Sequence, residues 1–223
     1  MQVYKIGIAE VVIAPLASRL KSALSEGPTL WLLSGGSNIK ISVGVMQQID
    51  SYLSNNLIIA LADERFGPYN HQDSNWAQLM NAGFEVKNST LIETLKPGDN
   101  TLSSTVLRYS NELSIAMDQC NYLVGQLGLG QDGHIAGILP NTIATTETDE
   151  LVIGYENDPF TRITVTFTGL RRLSSLFLIA TGENKRDQLN TLINQDLSLS
   201  VQPAQIIKQI EDSYLYNDQL EGK

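Results

Sequence analysis

The chain is poor in cysteine, histidine and basic charge. Of its 223 residues, one is a cysteine (Cys120) and two are histidines. A lone cysteine excludes an intrachain disulfide framework. Two histidines leave no His-rich metal site to expect; no metal and no cofactor are expected. Lys+Arg number 15 against 24 Asp+Glu, a formal net charge of −9 with a pI near 4.7. That balance argues against nucleic acid or an anionic membrane surface as a partner. It leaves room for a small anion, because a few cations and helix N-termini can build a positive pocket inside an acidic protein. No apolar run approaches the roughly 18 residues of a membrane-spanning helix. Residues 1–9 lack the basic and then apolar pattern of a signal peptide, so a cytoplasmic location is expected.

What is present suits a folded α/β protein. Hydrophobic residues make up 42% and charged residues 17%, enough for a buried core and too little charge for a disordered acidic chain. Apolar runs fall at 29–34 (TLWLLS), 57–62 (LIIALA), 121–127 (NYLVGQL), 163–168 (ITVTFT) and 176–181 (LFLIAT). Continuous runs closed by glycine or aspartate are the pattern of buried parallel strands; 163–168 alternates and suits an edge or a strand with one polar face. Helix-length segments lie at 10–26, 38–55, 72–82, 103–118, 184–195 and 203–210, with Asn38 and Asn184 as expected N-caps and Pro203 at a first helical position. The stretch 141–149 reads as a solvated connector. The alternation predicts one domain over 1–223: a three-layer Rossmann-like sandwich with a mostly parallel sheet flanked by helices. Such sheets bind ligands outside the carboxyl ends of their strands.

Four segments carry chemistry, each just after an expected strand. Ser34-Gly35-Gly36-Ser37-Asn38 reads as a phosphate cradle, with backbone N–H groups, a helix N-terminus and a hydroxyl facing one anion. It has neither the Walker pattern nor the closing glycine of a nucleophile elbow. Asp63-Glu64-Arg65 puts three charges at a strand end, either as a surface ion-pair network or with the Arg65 fork used on a phosphate or an oxyanion. His71, in the loop beyond, reads as exposed and not catalytic. Gly128 to Gly133 matches Gly-x-Gly-x-x-Gly literally, but Pro140 follows Gly133 by only seven residues, too soon for the helix a dinucleotide fingerprint opens. That segment instead offers His134 as a general base, with Asp132 to orient it. In Gly182-Glu183-Asn184-Lys185 the lysine opposes the dipole of the helix it opens, a conflict that a bound anion resolves. Arg162 reads as standing one layer behind the site.

Taken in order, LSGGSN, ADERFGP with DSN, GLGQDGHIAGILP, RITVTFTGL and ATGENKRDQL resemble the glucosamine-6-phosphate isomerase/6-phosphogluconolactonase superfamily, over roughly residues 29 to 190. The chain is more similar to the lactonase branch. The isomerases carry Asp-Glu-Tyr where Asp63-Glu64-Arg65 stands, and a glutamate before the proline of the histidine loop, where this chain has Leu139 before Pro140. Departures from the lactonase pattern are Asn38-Ile39 in place of Thr-Pro, and Ala136-Gly137-Ile138-Leu139-Pro140-Asn141 in place of Ala-Ser-Leu-Phe-Pro-Gly. The resemblance implies hydrolysis of a phosphorylated sugar lactone, 6-phospho-D-glucono-1,5-lactone, in the oxidative pentose phosphate pathway. It implies His134, Arg65 and Asp132 as catalytic residues, and Ser34, Gly35, Gly36, Ser37, Asp63, Arg65 and Lys185 as substrate- and phosphate-binding residues. A monomer or weak homo-oligomer is expected. A deaminase/isomerase and a non-catalytic sugar-phosphate binder remain as alternatives.

Overall fold

The computed structural model describes residues 1–146 and 148–221. Its strands are β1 (Gln2–Lys5), β2 (Thr29–Leu33), β3 (Leu57–Leu61), β4 (Asp63–Arg65), β5 (Thr90–Ile92), β6 (Tyr122–Gly128), β7 (Val152–Asn157), β8 (Phe160–Val165), β9 (Ser175–Ala180) and β10 (Asp212–Asn217). Its α-helices are α1 (Ile13–Glu26), α2 (Ile39–Gln48), α3 (Asn75–Asn81), α4 (Leu102–Gln119), α5 (Phe167–Leu170) and α6 (Arg186–Asn194). Seven strands form one sheet in the order β1-β10-β9-β6-β2-β3-β5, with every neighbouring pair parallel. A second sheet, β4-β8-β7, is antiparallel. The α/β sandwich with a mostly parallel sheet is as expected; the small antiparallel sheet is an addition.

Strand β2, inside the large sheet, shows why the apolar runs are continuous. All five residues of β2 are buried. Leu30 and Leu32 join a core that includes Tyr109, Leu113 and Met117 of α4 and Leu189 and Leu192 of α6. Trp31 and Leu33 join the core on the other face, with Leu16 and Leu20 of α1, Val45 of α2 and Leu79 of α3. Helices cover both faces, so successive side chains are apolar whichever way they point.

Several local expectations are corrected. The 163–168 strand is β8, displaced to Phe160–Val165 and placed in the antiparallel sheet; Thr166 then caps α5 by accepting from the Gly169 N–H. The helix expected over 38–55 stops at Gln48, and 203–210 forms a 3-10 helix over Pro203–Gln209, with Pro203 in its first turn. Neither Asn38 nor Asn184 caps a helix with its side chain. Asn38 is buried and donates instead to the Ser34 hydroxyl at 3.2 Å, because a 3-10 turn over Gly36–Asn38 carries it inward. The connector expected over 141–149 includes Glu147, which lies outside the described residues; 143–145 form a 3-10 turn. Among the described residues no helix is long and apolar enough to cross a membrane.

The link from β3 to β4 joins the two sheets. The chain leaves the parallel sheet at Leu61, and Ala62 donates back to Leu33 and accepts from Val165. Asp63, Glu64 and Arg65 then pair with Thr164, Ile163 and Arg162 of β8. The small sheet therefore begins where the large one ends, beside its carboxyl edge.

Candidate active site

A cleft of about 270 Å³ opens at the carboxyl ends of β2, β3, β6 and β9. Ser34, Gly35, Gly36, Ser37, Asp63, Arg65, His134 and Lys185 all line it. Of the site residues expected from the sequence, only Asp132 lies outside the lining, and it reaches the cleft through His134. The sheet rule accounts for the gathering: each segment follows a different parallel strand, so all of them emerge on one edge.

The 34–38 loop turns directly into α2, whose N-terminus faces the cleft. Among the described residues, the Gly35 and Gly36 N–H groups meet no acceptor, so two backbone donors stand free beside a favourable helix dipole. Gly35 has a steric reason to be glycine: a Cβ there would overlap the Asn75 side chain. Asn75 in turn donates through Nδ2 to the Asp63 carbonyl at 2.9 Å and to its carboxylate at 3.2 Å.

Asp63-Glu64-Arg65 is not a surface ion-pair network. Glu64 is buried, and its carboxylate accepts from the N–H groups of Arg65, Asn75 and Trp76 and from the Ser74 hydroxyl, at 2.6–3.0 Å. Burial pushes its pKa up against the pull of those donors. Glu64 thereby ties β4 to the start of α3, where Ser74 accepts from the Ala77 N–H. Asp63 is also buried, and desolvation raises its pKa although Arg65, His134 and Arg162 all pull it down. Arg65 donates to the Asp73 carbonyl at 2.9 Å and forms no ion pair within 4 Å among the described residues. His71 is half-buried, and its Nε2 meets the Arg65 carbonyl at 2.9 Å. It has a fixed partner the sequence did not reveal, and it lies outside the cleft lining.

The glycine-rich 128–134 segment opens no helix. Gly130 donates to the His134 carbonyl and Gly133 to the Gly130 carbonyl, folding it into a tight turn. The His134 ring packs over Gly130, where a Cβ would collide with Nδ1. Asp132 accepts from the His134 ring at 2.6 Å and from its backbone N–H at 3.1 Å. Burial works to raise the Asp132 carboxyl, but these bonds and the histidine's charge outweigh it and hold the carboxyl at about 2.

Lys185 stands where a short 3-10 turn enters α6, half-buried, with no ion pair within 4 Å among the described residues. Burial lowers its pKa and the more distant Asp218 partly restores it. Both effects mark a lysine short of negative charge.

The lining also holds residues the sequence did not assign to the site, Arg162 and Asn75 among them. Arg162, expected one layer behind, is in the cleft wall directly across the β4–β8 ladder from Arg65. Asn75 supports the loop at Gly35. Strand pairing reveals the first and a close approach the second, and neither is written in one-dimensional spacing. Among the described residues no group of three or more His, Cys, Asp or Glu side chains is placed to hold a metal ion.

The 6-phosphogluconolactonase of Mycobacterium leprae (strain TN) is 28% identical over 210 residues, covering 85% of this chain and 83% of that protein. That of Helicobacter pylori (strain J99) is 30% identical over 158 residues, covering 67% of this chain and 66% of that protein. The solved structure of 6-phosphogluconolactonase from Thermotoga maritima shares the fold, with a TM-score of 0.80 at 20% identity over 96% of each chain. The family model for glucosamine-6-phosphate isomerases/6-phosphogluconolactonase matches residues 6–216, from just after β1 into β10, and the chain belongs to that family.

Proposed function

We propose that the protein hydrolyses 6-phospho-D-glucono-1,5-lactone to 6-phospho-D-gluconate, acting in the cytoplasm in the oxidative pentose phosphate pathway. One observation carries this reading. In a chain of net charge −9, Arg65, Arg162 and Lys185 face one cleft without ion-pair partners among the described residues, beside a carboxylate-anchored histidine. Relatives named 6-phosphogluconolactonase, and Arg65 and Leu139 in place of the isomerase residues, support the lactonase branch.

In this mechanism the Ser34–Ser37 loop and Lys185 hold the substrate phosphate, with Arg65 adding charge. The phosphate is remote from the reacting carbon, so its binding energy orients the lactone. Asp132 keeps a proton on Nδ1 of His134 and leaves Nε2 as the base. Nε2 takes a proton from water as the water oxygen attacks C1. Backbone N–H groups of the cleft offset the developing oxyanion, an effect of about 3 kcal/mol for one well-placed donor. As the bond from C1 to the ring oxygen breaks, the imidazolium returns its proton to that oxygen. The products are an alcohol and a carboxylic acid, which ionises in water. Asp63 orients Arg65 and Arg162 around the substrate. General-base catalysis contributes about 10²–10⁴-fold, fitting for an ester that already hydrolyses unaided.

The test is hydrolysis of freshly generated 6-phosphogluconolactone with the spontaneous rate subtracted. Turnover above background is expected. Ammonia release from glucosamine 6-phosphate would point to the isomerase chemistry, and binding of 6-phosphogluconate without turnover to a non-catalytic sugar-phosphate protein.

A further inference from the structure

Arg65 and Arg162 present an electrostatic problem that one ring addresses. They are register partners across the β4–β8 ladder, so two like charges lie directly opposite, an arrangement that destabilises a strand pair. Each Nε is buried and unbonded. The Phe160 ring lies against both: the Arg65 guanidinium carbon is 5.4 Å from its centroid and that of Arg162 is 5.5 Å. Phe160 and Arg162 are two residues apart on β8, so the strand period puts them on one face. The ring is not part of the cleft lining and acts through the arginines.

We propose that Phe160 is a positioning residue whose ring holds the Arg65 and Arg162 guanidiniums together as one seat for the substrate phosphate. A π-face attracts both cations at distances within the roughly 6 Å range of that interaction. It holds them without a direct ion pair within 4 Å among the described residues, so their charge stays available to a ligand. An ion pair at the same place would cancel it. An aliphatic side chain would fill the space but supply no negative face, and the two guanidiniums would separate.

The proposal rests on the sugar-phosphate reading of the cleft, and its test separates the two. The readout is the preference for phosphorylated over unphosphorylated gluconolactone, as a ratio of kcat/KM values, in the full chain and in Phe160→Leu and Phe160→Tyr. Phe160→Leu is expected to reduce this ratio about tenfold, mainly through KM for the phosphorylated substrate. Phe160→Tyr, which keeps the ring, is expected to stay within about twofold of the unsubstituted protein. An unchanged ratio in Phe160→Leu, or an equal loss in both variants, overturns the proposal. Should Phe160→Leu fail to fold, Phe160→Met reads the same ratio. An unsubstituted protein with no lactonase activity contradicts the reaction and not the clamp. Calorimetry with 6-phosphogluconate then decides, with about tenfold weaker binding expected in Phe160→Leu and equal binding overturning the clamp.

Discussion

Asp132 holds His134 at two points, the ring Nδ1 at 2.6 Å and the backbone N–H at 3.1 Å. A carboxylate ionised down to about 2 can only accept hydrogen bonds, so the proton between them belongs to Nδ1. The pairing fixes both the tautomer and the plane of the ring.

That pairing is measurable without any substrate. In the folded protein the Asp132 carboxyl sits below its unfolded value of about 3.9. Its contribution to stability is therefore complete above that value and is lost as pH falls towards 2. A carboxyl carbon titration should show Asp132 near 2 in the unsubstituted protein. In His134→Ala the ring donor and its charge are gone while the backbone N–H of residue 134 remains, so burial is less opposed and the titration should move upward. A resonance that remains near 2 in the variant contradicts the assignment.

Gly130→Ala tests the floor beneath the ring. The added Cβ would occupy the space of Nδ1, and the imidazole must swing away from Asp132. Activity is expected to fall at least about 100-fold, the scale of a misplaced catalytic group, in a protein that keeps its circular dichroism spectrum. Near-normal turnover would mean that the ring position is not needed.

Lys185→Ala addresses the phosphate. Its lowered pKa reflects burial without enough negative charge nearby, which a dianion supplies. The substitution should raise KM for 6-phosphogluconolactone by about tenfold or more and leave gluconolactone hydrolysis nearly unchanged. Equal losses on the two substrates would remove the phosphate role.

Asp63→Asn separates stability from activity. Desolvation raises the Asp63 pKa despite Arg65, His134 and Arg162, so the ionised form costs the folded state. Because the folded pKa lies above the unfolded one, this cost is absent at low pH and grows as pH rises through the window between them. At neutral pH the variant should melt at the same temperature or higher, while kcat/KM falls at least tenfold as Arg65 and Arg162 lose their shared neighbour. A lower Tm with intact activity would reverse the assigned role.

The sequence revealed those parts of the fold that bury apolar side chains on two faces. The five residues of β2 are all buried, and the run was readable for that reason. It was silent on β1, a short and largely exposed edge strand, and on β10, whose short Tyr214-Leu215-Tyr216 run is flanked by Asp212, Ser213 and Asn217. Three charged residues at 63–65 do not look like a strand; pairing with β8 makes them one. The site was legible where a loop follows a parallel strand, as for Ser34, His134 and Lys185. Arg162 was misjudged because its place depends on ladder register. Asn38, read as a cap, turned inward to Ser34 because a 3-10 turn precedes the helix.

The most direct test of the account is kcat for 6-phosphogluconolactone in the unsubstituted protein and in His134→Ala, both corrected for spontaneous hydrolysis. Loss of the base should lower kcat by about 10²-fold or more, with KM little changed and the fold intact. A His134→Ala protein that still turns over at near the unsubstituted rate would contradict it.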